Sequence, residues 1–206
     1  MTISYPLSLP TTIGFNEVSF TAESVIARSE SPFTFSQQIL KFPGQRWSAS
    51  VSIPPVSRDL AEDWVGFQLS LNGGENTFLL NDPNSTSPRG QGGGTPLVNG
   101  ASQTGNSLNV NGATASQTNW LRTGDWFQLG SGATSRLHKV IQNVDTNASG
   151  EATVYFWPDL RSSPADSDPI TLSSPKGVFR LANKVTSWSI NEINSYGINF
   201  SAIEVI

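Results

Sequence analysis

The chain has 206 residues, a length that suits one large domain or two modest ones, and its 36% hydrophobic and 14% charged residues are low for a compact enzyme yet too uncharged for a charge-driven disordered chain. The formal net charge is −4, and the 12 Lys and Arg are scattered singly, which argues against direct recognition of a nucleic-acid duplex. There is no Cys, so disulfides, thiolate metal sites and Cys nucleophiles are excluded together.

The N-terminal stretch "MTISYPLSLPTTIGF" lacks the basic and long apolar regions of a signal peptide. No run approaches the ~20 apolar residues of a membrane span, so a product without membrane insertion, folding in a cytoplasm, is expected. "GFNEVSF" begins the first strand-like material. "SPFTFSQQILKF" follows, and Pro43-Gly44 reads as a turn. In "RWSASVSI", Trp47, Ala49, Val51 and Ile53 alternate with polar residues, the pattern of a sheet with one buried face, and Pro54-Pro55 reads as its end. The period then changes. Leu60, Trp64, Phe67 and Leu71 recur at helical spacing, with Ser57 as the expected N-cap and Asn72-Gly73 as the stop. "NTFLLND" returns to strand.

Residues 84 to 96, "NSTSPRGQGGGTP", read as a flexible linker. Five short strand candidates follow: "PLVNG", "NSLNVNG", "GDWFQLG", "RLHKVIQNV" and "EATVYFWPDL". Their spacing suggests a small closed or partly open barrel. After the Pro/Ser-rich "RSSPADSDPI" the tail is again strand-like. Ile198, Phe200 and Ala202 alternate, and the parity slips at Ile203, as a bulge would make it. This tail is too short for a core of its own, so it is expected to pair back with strands of the first ninety residues.

Few constellations suggest chemistry. "RGQGGGTP" lacks the Lys-Ser/Thr and following helix of a phosphate loop. His138 is the one side chain that titrates near neutrality, but no "GxSxG" elbow accompanies it, and a strand position makes a half-buried structural histidine the expected role. Asp159, Asp166 and Asp168 are near one another in sequence without a calcium-loop pattern. Neither a catalytic residue nor a metal or cofactor site is expected. Alternation along "DWFQLG" sends Phe127 and Leu129 to the core and leaves Trp126 on the opposite face. Trp126 is therefore the one ligand candidate, as a subunit contact or as a platform for stacking a sugar ring.

Taken in order, "PGQRWSASVSIPPVSRDLAEDWVGFQLSLNGGENTFLLNDP", "PLVNGASQTGNSL", "LRTGDWFQLG…LHKV…ASGEATVYFWPDLR" and "KGVFRLANKVTSWSINEINSYGINFSAIE" resemble the distal tail protein family of long-tailed (siphovirus-type) bacteriophages. The nearest likeness is to the compact T5-like form with an inserted OB-like barrel. That resemblance implies a mainly β chain. Residues 1–90 and 175–206 would form a discontinuous split-barrel, ring-forming domain with one helix, and residues 96–172 an inserted OB-like barrel. It also implies a non-enzymatic virion subunit, made in the host bacterial cytoplasm. Such a subunit forms a hexameric ring at the end of the tail tube, with DNA passing through the lumen. Its partners would be the tube protein, the baseplate hub and the fibres or receptor-binding proteins. The alternative is a carbohydrate-binding β module that recognises host surface glycans.

Overall fold

The computed structural model describes residues 3–192 and 194–206. The fold is mainly β, with a single α-helix among the described residues. The elements in chain order are β1 (Glu17–Glu30), β2 (Gln37–Val56), α1 (Arg58–Ser70), β3 (Phe78–Leu80), β4 (Gly94–Val98), β5 (Gly105–Ala113), β6 (Trp126–Leu129), β7 (Arg136–Val140), β8 (Ala152–Leu160), β9 (Ile170–Thr171), β10 (Gly177–Leu181), β11 (Trp188–Ile190) and β12 (Tyr196–Glu204). They form two antiparallel sheets. One has the order β1-β2-β12-β10-β3, with β11 also on β12; the other runs β4-β5-β8-β7-β6-β9.

In the first sheet β2 is the spine. Trp47, Ala49, Val51 and Ile53 are all buried, and the serines between them face away. Contrary to the sequence expectation, neither Pro43-Gly44 nor Pro54-Pro55 ends this strand. Each falls where the pairing skips. Ser24 faces Gln45 while Ile26 faces Lys41, and Tyr196 faces Val56 while Ile198 faces Ile53. A bulge needs no ladder donor from the prolines, so the strand continues through them. The real turn lies earlier, where Ser31 N donates to Ser36 O at 3.0 Å and closes the β1–β2 hairpin.

Helix α1 covers this sheet with Ala61, Trp64, Val65, Phe67 and Gln68. Leu60, expected on the apolar face, is instead exposed: it falls on the side of buried Trp64, Phe67 and Leu71, but stands in the first turn, at the end of that stripe. Ser57 has the extended backbone of an N-cap but makes no side-chain cap bond. Asn72 and Gly73 end the helix with positive φ, and a Cβ on Gly73 would lie 2.7 Å from the carbonyl oxygen of Lys184. Only glycine fits there.

The tail strand β12 pairs with β2 and β10. The bulge expected at Ile203 is absent. Parity persists, so that Tyr196, Ile198, Ala202 and then Glu204 all face inward. A carboxylate can hold an inward position here because Arg161 meets it from the other sheet, with Nη2 2.6 Å from Oε2.

The second sheet is drawn from residues that lie between β3 and β10 in sequence, and it nearly closes into a barrel. The Leu97–Pro169 bridge joins its ends, with Val98 N donating to Asp168 O and Ser167 N to Val98 O, both at 2.9 Å. Leu108, Val110, Trp120, Phe127, Val154 and Phe156 fill it. The stretch 84 to 96 is laid against this barrel and is not a free linker. Arg89 N and Gly90 N donate to the Asp125 carboxylate at 2.7 and 3.1 Å, and Gly92 N donates to Trp120 O at 2.8 Å. Glycine is used for close approach, since a Cβ on Gly90 would lie 2.4 Å from the oxygen of Trp120.

Candidate functional site

Strands β6 and β7 bury both faces, and this decides the fate of the residues singled out by sequence. Phe127, Leu129 and Val140 point into the barrel, whereas Trp126 and Leu137 join the core of the first sheet. There the Trp126 ring lies 4.8 Å from Trp47 and 5.3 Å from Phe20, and Trp47 also meets Trp157 at 4.4 Å. Trp126 Nε1 donates to Asp82 Oδ2 at 2.9 Å, and the Lys139 ammonium sits 4.2 Å from its ring centre. The residue is 5% exposed, so it offers little surface to a sugar or to a neighbouring chain. Alternation correctly set Trp126 opposite Phe127, but it could not reveal that the first sheet covers that side.

Polar contacts tie the same seam together. Arg161 donates Nη1 and Nη2 to the two oxygens of Glu204 at 3.0 and 2.6 Å, and Nη2 also reaches Gln45 O at 2.9 Å. Glu204 Oε2 further accepts from Trp47 N at 3.0 Å, and Trp47 Nε1 donates to Leu137 O at 3.0 Å. Gln45 Oε1 accepts from Asp159 N at 2.7 Å. Bidentate, charge-assisted geometry of this kind fixes orientation as well as contact.

His138 is buried between Phe127, which stacks on it at 5.2 Å, and Phe156 at 4.8 Å. Burial pushes its pKa down to about 3, and the charges of Arg161 and Arg136 push the same way, against the opposing bond to Pro158 O. At neutral pH the ring is uncharged, with Nδ1–H donating to Pro158 O at 2.9 Å. This is a packing role, since the residue is 2% exposed and its ring lies between two aromatic rings. The three aspartates do not converge on it. Asp159 pairs with Lys41 at 2.8 Å, Asp166 accepts from Gly100 N and Asp168 from Ala165 N, both at 2.7 Å. Among the described residues no cluster of His, Asp and Glu is arranged to hold a metal ion.

The feature that sequence reasoning missed is the outer half of the β1–β2 hairpin. Residues 26–30 pair only with 37–41, beyond the point where β12 stops alongside Ser48. Exposed apolar side chains stand on both faces of this arm, Val25, Ile26, Ile39, Leu40 and Phe42 along it, interleaved with Arg28, Glu30 and Lys41, and Phe33 and Phe35 lie at the tip, 91% and 73% exposed. The signal was present as the adjacent pairs Val25-Ile26 and Ile39-Leu40. Neighbours in a strand point to opposite faces, so such pairs cannot both be buried by one sheet. At the root of the arm Arg46 bonds Glu23 at 2.6 Å across the ladder, and that bond holds the Glu23 carboxyl below its usual range.

No family model matches the chain, and no curated protein matches it significantly.

Proposed function

We propose that the chain is a structural, non-enzymatic subunit of a bacteriophage tail, assembling as a ring at the distal end of the tail tube. One observation carries the proposal: a two-stranded arm that leaves Ile26, Ile39, Leu40, Phe33 and Phe35 exposed among its charged and polar side chains. An isolated hairpin is marginal in water, and exposed large apolar side chains gathered on one arm suit an association site. The occupant is a second copy of this chain. A contact made by the arm of one copy on the body of the next is head-to-tail, and such a contact closes into a ring when its rotation permits.

Other features support the same assignment. The far edge of the first sheet is closed, because Leu7 N donates to Thr77 O and Leu79 N to Leu7 O, while β1 keeps one edge unpaired among the described residues. Few charges and many hydroxyls suit broad subunit contacts, because hydroxyls cost less to desolvate than ions. In this role the ring joins the tube protein to the hub and the fibres or receptor-binding proteins, and its lumen passes DNA without reading sequence. Trp126, through which the glycan-binding alternative would act, is 5% exposed, which favours the ring reading over it.

Electron microscopy of the purified chain mixed with tail-tube protein tests the assignment. Rings that cap the ends of tubes are the expected outcome. Tubes left bare, with the chain dispersed as single copies, would refute it.

A further inference from the structure

At the rim of the barrel the β6–β7 hairpin and the segment leaving β8 enclose a cavity of about 270 Å3. Arg136 and Arg161 lie on its wall, with hydroxyls from Thr134, Ser162 and Ser163. The two guanidiniums are not equivalent. Arg161 is committed to Glu204 and to Gln45 O. Arg136 donates to Ser135 O at 3.3 Å and has no ion-pair partner among the described residues. It is half-buried beside a second cation, and burial first and the Arg161 charge second push its pKa below the usual value, against Glu204. In a chain of net charge −4, this fork makes no direct ion pair among the described residues, in a concave recess lined in part by hydroxyl-bearing residues.

We propose that this cavity binds a small molecule bearing one carboxylate, about the size of a single sugar ring. Arg136 receives the carboxylate and the wall hydroxyls bond the ring. Asp168 also lines the cavity, and its negative charge opposes a dianion about twice as strongly as a monoanion, which weighs against a phosphate dianion. His138 lines the cavity as a neutral ring and adds no positive charge. The site is distinct from the arm, and it stands or falls independently of ring assembly.

His138 is the only histidine in the chain, so its ring resonances give an unambiguous reporter at the site. The full chain is titrated with glucuronate, N-acetylneuraminate, glucose and inorganic phosphate while those resonances are followed by NMR. The expected result is saturable displacement by at least one acidic sugar and none by glucose. Arg136→Gln weakens that binding by about tenfold or more. Arg136→Lys, which keeps the charge but not the fork, falls between. The proposal is overturned if neither acidic sugar saturates, or if phosphate binds as tightly. It is likewise overturned if R136Q and R136K both bind as the unmodified chain does with near-ultraviolet circular dichroism unchanged.

Discussion

The seam between the sheets and the arm of the first hairpin are built from the same kinds of residue, yet they differ in what covers them. At the seam Trp47, Trp126, Phe20 and Leu137 cover one another, and Trp126 is 5% exposed. On the arm Ile26, Leu40, Phe33 and Phe35 have no such cover. A chain that takes care to neutralise a single inward carboxylate, Glu204, leaves a run of apolar side chains in water. Aromatic content therefore says little about function until the covering surface is known. The exposed patch is the informative one.

The contrast can be broken from either side. Removing a seam aromatic has the largest expected effect: Trp126→Ala costs about 3–5 kcal/mol, as for a large aromatic truncated in a packed core. It also loosens the barrel from the first sheet, and denaturant unfolding should then separate into two transitions. Glu204→Ala is expected to cost about 3 kcal/mol or somewhat more, because it strands the Arg161 guanidinium in the interior. Glu204→Gln, which retains acceptor and shape, recovers only part of this.

The pH dependence of stability sharpens the same side. Below about pH 6.5 the unfolded chain protonates its histidine, while the folded chain holds His138 neutral down to about 3. The unfolded state then binds more protons, so stability present above pH 6.5 is lost as pH falls, by about 1.4 kcal/mol per unit across that window. Urea midpoints at pH 7 and 4.5 measure this, and His138→Gln should flatten the histidine contribution. On the arm the effect on the single copy is smallest. Phe33→Ser should change its stability by less than about 0.5 kcal/mol, since that residue is 91% exposed. Its consequence should appear in assembly alone.

Much of the fold was legible where one local rule suffices. The alternation from Trp47 to Ile53 and the change to helical spacing after Ser57 each survive in the structure. Legibility failed where the deciding partner is remote in sequence. Pro43 and Pro54 read as ends because nothing local announces that the paired strand will skip a residue opposite them. Glu204 broke the apparent parity of β12, and only Arg161, 43 residues earlier, explains why it faces inward. Trp126 looked available because alternation defines two faces of a strand and not what lies on each. The arm escapes the alternation rule for the reverse reason: Val25-Ile26 and Ile39-Leu40 spoil the period, although the spoiled period is itself the sign of a strand pair with no interior.

The most direct test is the mass of the purified chain in solution, by light scattering across a concentration series, beside the Phe33→Ser, Phe35→Ser double variant. The ring account predicts a closed oligomer, hexameric by the family resemblance, for the unaltered chain and a folded single copy of 22.1 kDa for the variant. An unaltered chain that stays a single copy at every concentration, or a variant that assembles just as well, would contradict it.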